Sequence, residues 1–317
     1  MKQHFKTIRN TLLAIFTVAC LAATWAPPAH ALRLYDDGDT KIDLYSRLYL
    51  LYENTDAGRI TGNDSRIGLR ASNTVNDNLS VFARAEFRYD ASQRERQQVF
   101  NDRRNTYVGL KSMVGQLTVG NFDSIYYQSV SHVMDIFENE GFVALGQGGT
   151  AGRANSVAYS SPELHGLKLH VQARLYPEGD TVSGDEEFIF QAGATFKIQD
   201  LSLGVSAIID NEDAGRDETL IGFSAQYKVI DALSVRLLVE NQKDVGEQDY
   251  HAALGLIFNY GMGDLYASVG QDPDEETYFS LGANYKFSKP MRVFAEYCNG
   301  ETIDPDDVIT VGFRYDF

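Results

Sequence analysis

The sequence predicts an all-β protein, a sixteen-stranded antiparallel transmembrane β-barrel whose third external loop folds inward. Three observations lead to this fold class. From Thr40 onward, segments of about ten residues alternate between apolar and polar side chains, which is the period of a strand with two different faces. These lengths match the ~9 to 11 residues that a tilted strand needs to cross a bilayer. The connections alternate between tight turns and longer acidic loops, as in barrels with turns on one side of the membrane and loops on the other.

The N-terminal segment has the features of a secretory signal. Three basic residues precede an apolar run from Leu12 to Ala23, and Ala29 to Ala31 forms a small-x-small cleavage site. We predict that residues 1–31 are removed and that residues 32–317 form the barrel domain. The stretch from Thr17 to Cys20 also resembles a weak lipoprotein box, but the cleavage site that follows it favours ordinary processing.

Charge and cysteine content exclude several function classes. The chain has 28 Lys and Arg against 44 Asp and Glu, a net charge of −16, and removal of the three basic signal residues takes the net charge to −19. An acidic chain is not expected to bind nucleic acid, which attracts cationic surfaces. With Cys20 in the signal, the mature chain keeps only Cys298, so neither a disulfide framework nor a zinc cluster is predicted, and we expect no cofactor or metal.

Membrane insertion of this chain would require a closed barrel. No stretch after the signal reaches the ~20 apolar residues of a membrane helix, and only helices and closed barrels satisfy the backbone in lipid. In the last segment Ile309, Val311 and Phe313 share one face, while Thr310 and Arg314 share the other, as expected between lipid and a wet lumen. The sixteen predicted strands are Thr40 to Tyr52, Arg66 to Asn73, Leu79 to Tyr89, Arg104 to Ser112, Gly115 to Phe122, Asn155 to Ser160, Gly166 to Tyr176, Glu187 to Ile198, Leu201 to Asp210, Thr219 to Val229, Ala232 to Asn241, Asp249 to Asn259, Gly263 to Gly270, Thr277 to Phe287, Pro290 to Cys298 and Val308 to Phe317.

The connections support an even number of strands. Seven short turns and eight longer loops join sixteen segments and leave both chain ends on the turn side. An even count lets the first strand pair antiparallel with the last, so that no edge stays open. The mature chain of 286 residues, 317 less the 31 of the signal, is short for sixteen strands, and fourteen is the alternative if two segments merge.

The segment from Gly120 to Arg153 is the longest stretch without the two-residue alternation. It carries aromatic and acidic side chains, and a connection of this length in a compact domain is usually functional or disordered. We predict that it enters the barrel and narrows the lumen, with Asp135 and Glu138 facing arginines on the wall.

Several motifs, in order along the chain, carry a resemblance to a known family. Lys41 to Arg47, Ser65 to Leu69, Tyr107 to Lys111, and Asn155 to Pro162 after the long loop together resemble the general diffusion porins of Gram-negative outer membranes. The resemblance spans the whole mature chain and implies a passive channel for small hydrophilic solutes and ions in the outer membrane. It also implies a homotrimer, with the loop from Asp90 to Arg103 reaching a neighbouring subunit, and contact with outer-membrane lipid and lipopolysaccharide.

The same resemblance implies the site residues. A ladder of basic residues falls on Arg47, Arg66, Arg104 and Arg153, and their acidic partners on the inserted loop fall on Asp135 and Glu138, with Glu140 as a substitute. The loop lacks the Pro-Glu-Phe-Gly-Gly core of the enterobacterial members. The alternation places Arg47 and Arg66 on the lumenal face, whereas Arg104 shares its face with Thr106, Val108 and Leu110. Phe313, Tyr315 and Phe317 are similar to the signal read by the barrel-assembly machinery.

Two other functions remain open on the sequence. Inward aromatic side chains could guide sugars through an oligosaccharide-selective porin, and a barrel can also serve as an adhesin or receptor. No nucleophile, base and orienting group stand out together, so an enzyme is not predicted. The acidic loops favour a mild cation preference. The inward aromatic residues are Tyr45, Tyr49, Phe82, Tyr266, Tyr278 and Phe294.

Overall fold

The computed structural model describes residues 31–54, 58–62, 64–93, 99–100, 102–147, 155–176, 187–209, 219–243, 245–299 and 307–317. These residues form a closed antiparallel barrel of sixteen crossing strands, which confirms the predicted fold class and strand number. The alternative of fourteen strands is therefore wrong. Residues 1–30, nearly all of the predicted signal, lie outside the described residues, so the signal stays a prediction.

Eighteen β segments make up the sheet, and two of them, β1 and β3, are short additions to the crossing strands. One short helix, α1 (Ile125–Ser129), lies between β7 and β8. The segments are β1 (Leu32–Asp36), β2 (Thr40–Glu53), β3 (Arg59–Thr61), β4 (Ser65–Asn76), β5 (Leu79–Tyr89), β6 (Asp102–Ser112), β7 (Gly115–Asn121), β8 (Ser156–Ser160), β9 (Leu167–Tyr176), β10 (Glu187–Ile198), β11 (Leu201–Ile209), β12 (Leu220–Ile230), β13 (Leu233–Asn241), β14 (Tyr250–Asn259), β15 (Gly263–Gln271), β16 (Thr277–Ser288), β17 (Met291–Asn299) and β18 (Asp307–Asp316).

The barrel closes between its first and last crossing strands. β18 pairs antiparallel with β2, from Thr310 opposite Glu53 to Asp316 opposite Arg47. The pairing continues past β18, because the Ser46 and Phe317 backbones exchange hydrogen bonds of 2.7 and 2.9 Å. β1 pairs with the N-terminal part of β2, and β3 pairs with its C-terminal end. Closure leaves the first and last strands without an open edge, as the even strand count predicts.

The two faces of the wall differ as the alternation predicts. On β9, Leu167, Leu169 and Val171 are exposed, whereas Gln172 on the opposite face is buried. β14 repeats the pattern, because Leu254 is exposed and His251 is fully buried. An apolar exterior with polar groups on the inner face is the pattern of a barrel that spans a membrane. Among the described residues, no helix is long and apolar enough to cross a bilayer.

Most predicted strand ends lie within one or two residues of the observed ones. The largest difference is in β4, which continues to Asn76 instead of ending at Asn73, because its last residues extend the ladder with β5 up to a bulge. The sequence pattern does not predict β1, β3 or α1. All three are short, so neither a strand period nor a helical period has room to show.

Candidate functional site

The segment between β7 and β8 is described up to Gln147 and begins with a short helix. Ser124 caps α1, accepting a 3.0 Å hydrogen bond on its side-chain oxygen from the Tyr127 backbone N–H, as serine does at a helix start. Two single turns of 3₁₀-helix follow, Ser131–Met134 and Leu145–Gln147. The chain thus changes direction several times within a short distance, which explains the absence of strand periodicity here.

This segment packs on one side of the barrel wall. Tyr126 and Val130 are fully buried in a cluster that also holds wall residues of β10 to β14, among them Ile208, Leu220 and Leu238. These wall residues alternate with the exposed apolar residues of the same strands, so the segment touches the opposite face from the apolar exterior. Burial of this apolar surface stabilises the segment against the wall.

Two glutamates of the wall hold the backbone of this segment. Glu240 of β13 is fully buried and accepts hydrogen bonds from the backbone N–H groups of Leu145 (2.6 Å) and Gly146 (3.1 Å). Tyr126 donates its hydroxyl to the same carboxylate at 2.9 Å, and His251 lies 3.0 Å from it. A buried carboxylate with several donors is held firmly, because each lost partner would leave a buried polar group unsatisfied.

The second anchor, Glu296 of β17, has the same design. It accepts hydrogen bonds from the consecutive backbone N–H groups of Glu138 (2.7 Å) and Asn139 (3.0 Å) and from the Tyr266 hydroxyl (2.7 Å). Glu296 is only 3% exposed. The two anchors fix the segment at two points seven residues apart in sequence, at residues 138–139 and 145–146.

Near α1, two wall amides supply further acceptors. The side-chain oxygens of Gln172 and Gln191 accept from the backbone N–H groups of Ile125 (2.8 Å) and Tyr126 (3.0 Å). These are the first N–H groups of the helix, which have no partner within it. The wall therefore provides polar partners at both ends of the segment as well as an apolar surface between them.

Asp135 and Glu138 face a group of arginines across a polar cavity of about 480 Å³. Glu138 forms ion pairs with Arg292 at 3.2 Å and with Arg314 at 3.0 Å, whereas Asp135 accepts a hydrogen bond from the Tyr127 hydroxyl. The cavity is lined by Arg47, Asp64, Arg66, Arg104, Asp135, Ile136, Phe137, Glu138, Arg292 and Arg314. Carboxylates of the segment and arginines of β2, β4, β6, β17 and β18 thus line the same space.

The structure brings three of the four predicted ladder arginines together. Arg47, Arg66 and Arg104 all line the cavity that holds Asp135 and Glu138. Arg153 lies outside the described residues, so its place in the ladder stays a prediction. Glu140, the substitute partner, does not line this cavity.

A β-bulge explains how Arg104 reaches the inner face. In the β5–β6 ladder Glu86 pairs with Asn105 and Phe87 with Arg103, which leaves Arg104 as the extra residue. The Arg104 guanidinium lies 3.3 Å from Glu86, and the Asn105 amide donates to the same carboxylate at 3.2 Å. Two successive residues therefore point inward, and the apolar residues that follow on β6 keep their outward face.

Three further charged residues line the cavity, although the sequence does not point to them as site residues: Arg292, Arg314 and Asp64. The alternation predicts that Arg314 lies on the lumenal face of the last strand, but no local feature of the sequence indicates that barrel closure brings it to Glu138. Asp64 precedes β4 and contacts Arg47 and Arg66. Burial opposes ionisation of Asp64, but the charges of Arg66, Arg104 and Arg47 outweigh that effect and lower its pKa.

The inward aromatic residues pack within the wall. Tyr45, Tyr49, Tyr266, Tyr278 and Phe294 are each at most 8% exposed. Most of the rings lie over a glycine of the neighbouring strand, which covers the gap left by the missing side chain. The pairs are Tyr45 on Gly68, Phe82 on Gly109, Tyr266 on Gly282, Tyr278 on Gly270 and Phe294 on Gly312. Within the part of the chain that the structure describes, no group of three His, Cys, Asp or Glu residues could hold a metal ion.

A closed antiparallel barrel with an apolar exterior and opposed charges on its inner face defines the class of membrane channels built from strands. The chain matches the sequence model described as Gram-negative porin over residues 17–304, and it belongs to this family. The predictions of the family, of the outer-membrane location and of a passive channel are confirmed.

Individual relatives agree with this assignment at low sequence identity. A monosaccharide porin of Halomonas sp is 24% identical over 98% of this chain and 100% of its own length. Outer membrane porin N of Escherichia coli is 23% identical over 98% of this chain and 100% of its own. Among solved structures, OmpF of Salmonella typhi, in a complex with daunomycin, superimposes with a TM-score of 0.72 at 18% identity, covering 90% of this chain and 100% of that one. The similarity to this solved structure shows that the two chains share a fold.

Proposed function

We propose that the segment 122–147 lies in the lumen and forms the constriction of a passive channel for small hydrophilic solutes and ions. The observation that supports this proposal best is the cavity in which Asp135 and Glu138 face Arg47, Arg66 and Arg104. Opposed charges on either side of a narrow water-filled passage create a transverse field, which orients dipolar solutes and disfavours apolar ones. Arginine suits such a wall because it stays charged beside other guanidinium groups.

The anchoring contacts support a constriction of fixed size. Glu240 and Glu296 hold the backbone of the segment at two points. The side chains of Tyr126, in α1, and of Val130, directly after it, are buried against the wall and hold the helix there. A segment held in this way limits the size of solutes by its position rather than by opening and closing.

Liposome swelling tests the proposal directly. Liposomes containing the refolded mature protein, residues 32–317, are mixed with isotonic neutral sugars of increasing size, from a pentose to a tetrasaccharide. We expect the swelling rate to fall steadily with solute size and to stay proportional to concentration. Swelling no faster than in protein-free liposomes would refute a diffusion channel.

A sugar-selective porin is the second candidate, because the Halomonas relative carries the name of a monosaccharide porin. A chain of sugar-stacking rings needs exposed ring faces, whereas Tyr49, Tyr278 and Phe294 are at most 3% exposed. General diffusion is therefore favoured. Saturation of swelling by one sugar, with exclusion of others of the same size, would favour the second candidate instead.

We also propose the partners implied by the family. The protein forms a homotrimer, contacts lipopolysaccharide on the loop side, and presents Phe313, Tyr315 and Phe317 to the barrel-assembly machinery. Light scattering of the detergent-solubilised protein, corrected for bound detergent, should give three chains per particle. A mass of one chain would refute the trimer and leave the channel proposal intact.

A further inference from the structure

A second cavity, of about 370 Å³ and lined in part by charged residues, continues from the candidate constriction towards the short turns. Arg47, Arg66 and Arg314 line both cavities, so the two are adjacent along one path. The second cavity also borders Lys289, which lies in the short turn between β16 and β17. Any solute that passes the constriction on this side would meet this second group of charges next.

The side chains along this path carry an excess of positive charge. Eight cationic and five acidic side chains line the two cavities, although the whole chain has a net charge of −16. The cationic residues are Arg47, Arg66, Arg70, Arg84, Arg104, Lys289, Arg292 and Arg314, and the acidic residues are Asp64, Glu86, Asp135, Glu138 and Asp316. The net charge of the side chains along this path is therefore positive, whereas the net charge of the whole protein is negative.

The ion pairs within the barrel do not neutralise these arginines one to one. Each central carboxylate is shared, so that several guanidinium groups depend on the same acidic partner. Asp64 lies near Arg47, Arg66 and Arg88; Glu86 near Arg66, Arg84 and Arg104; and Glu138 near Arg292 and Arg314. Because a guanidinium has five N–H donors in a fixed fork, sharing leaves donors that can point at a solute.

Two cationic side chains have no acidic partner among the described residues. Arg70 stacks on the ring of Tyr45, 4.2 Å from the ring centre, and forms no ion pair there. Lys289 likewise forms no ion pair within the described part of the chain. In addition, the buried Nε of Arg292 has no hydrogen-bond partner among the described residues. Unused donors thus occur in both cavities.

We propose that this path, which we name the arginine path and define by the eight cationic residues above, binds small oxyanions in transit and makes the channel prefer anions. Its solutes would be carboxylates and phosphates, since both match the guanidinium fork with two hydrogen bonds. The inference rests on the proposed channel function. It replaces the mild cation preference expected from the overall charge, because selectivity is set at the narrowest part of a pore, where solutes pass closest to the charges.

Asp135 and Glu138 keep this binding weak. Their charges oppose tight binding of an anion in the constriction, and conduction requires that a bound ion can leave again. The Glu138 carboxylate also occupies donors of Arg292 and Arg314 that would otherwise bind the solute. We therefore expect half-saturation by phosphate in the millimolar range rather than a tight site, since each contact stays close to water and is screened by salt.

The reversal potential of the refolded protein in a planar bilayer under a tenfold KCl gradient tests the inference. We expect chloride to permeate at least about twice as readily as potassium, because a few excess charges within several ångströms raise the local anion concentration severalfold. Inorganic phosphate added to one side should reduce the chloride current in a saturable manner. Arg70→Gln, which breaks no ion pair among the described residues, should lower the permeability ratio and weaken the phosphate effect several times.

Lys228→Gln is the matched control, because it removes one positive charge from an exposed residue outside both cavities. It should leave the permeability ratio and the phosphate effect unchanged. A conducting channel that prefers potassium, or an anion preference that Arg70→Gln and Lys228→Gln change equally, would overturn the arginine path while leaving the channel in place. Absence of conductance would instead overturn the channel proposal itself.

Discussion

Removal of the Glu296 anchor should detach part of the segment 122–147 from the wall and uncover Cys298. The Glu296→Ala substitution removes the acceptor for the backbone N–H groups of Glu138 and Asn139 and for the Tyr266 hydroxyl. All three donors would then lack their partner on the wall. Buried donors without partners are unfavourable, so the attached form of the segment should lose stability relative to a detached form.

Cys298 reports on this change because the segment covers it. The thiol belongs to a residue only 1% exposed, which packs with Val308 and Val143. A Cβ placed on Gly141 would lie 2.9 Å from the Cys298 sulfur, so the backbone of the segment passes directly over the thiol. The remaining cysteine of the chain lies in the predicted signal, so the mature protein has one thiol to label.

The expected effect is large enough to measure. Three hydrogen bonds at about 1 kcal/mol each amount to about 3 kcal/mol. Since 1.4 kcal/mol corresponds to a factor of ten in an equilibrium constant, the population with an uncovered thiol should rise by about 100-fold. Reaction of the folded protein with a charged maleimide, followed over time by mass spectrometry, measures that population when opening is fast relative to labelling.

Glu163→Ala serves as the control, because Glu163 is exposed in the connection between β8 and β9. Cys298 in this control should react at the wild-type rate. In Glu296→Gln, which keeps one acceptor oxygen, the labelling rate should lie between that of the wild type and that of Glu296→Ala. A labelling rate of Glu296→Ala within about twofold of the wild type would contradict the anchoring role, because the loss of even one hydrogen bond predicts a larger increase in the labelling rate.

Three further predictions concern other parts of the site and the barrel. Gly204→Ala should lower the free energy of unfolding by about 1–3 kcal/mol and increase current noise, because an added Cβ would overlap the Ser129 carbonyl oxygen; thermal unfolding and bilayer recordings measure these effects. Arg314→Gln should lower the chloride-to-potassium permeability ratio, because it removes one positive charge that pairs with Glu138 in the lumen, and the reversal potential in a KCl gradient measures this change. Deletion of Phe317 should lower the unfolding temperature seen by heat-dependent gel mobility, because it removes two backbone hydrogen bonds at the closure, together about 2 kcal/mol.

The strand pattern could be predicted from sequence because the membrane imposes it on each strand separately. Alternation along β9 and β18 reflects lipid on one side and water on the other, and that pattern needs no knowledge of distant residues. The same alternation placed Arg47 and Arg66 on the inner face, where the structure has them. Arg104 departs from the alternation because of a bulge, which one strand alone does not reveal.

The partners within the site could not be predicted in the same way. Arg314 meets Glu138 only because β18 closes on β2 and the segment 122–147 passes nearby. The two residues lie 176 positions apart in sequence. The anchors Glu240 and Glu296 look like ordinary lumenal carboxylates in their strands, and only the path of the segment shows what they bind. The path itself depends on a buried cluster in which Tyr126 and Val130 of the segment pack together with residues of six different strands, a long-range property with no local signature.

The central claim is that Asp135 and Glu138 help to form the narrowest part of an open channel. Single-channel conductance of the refolded mature protein, compared with that of the Asp135→Ala/Glu138→Ala double variant, tests it most directly. We expect discrete steps that scale with salt concentration in the wild type, and clearly different steps in the double variant because one side of the opposed charges is gone. No conductance, or steps of equal size in both proteins, would contradict the account.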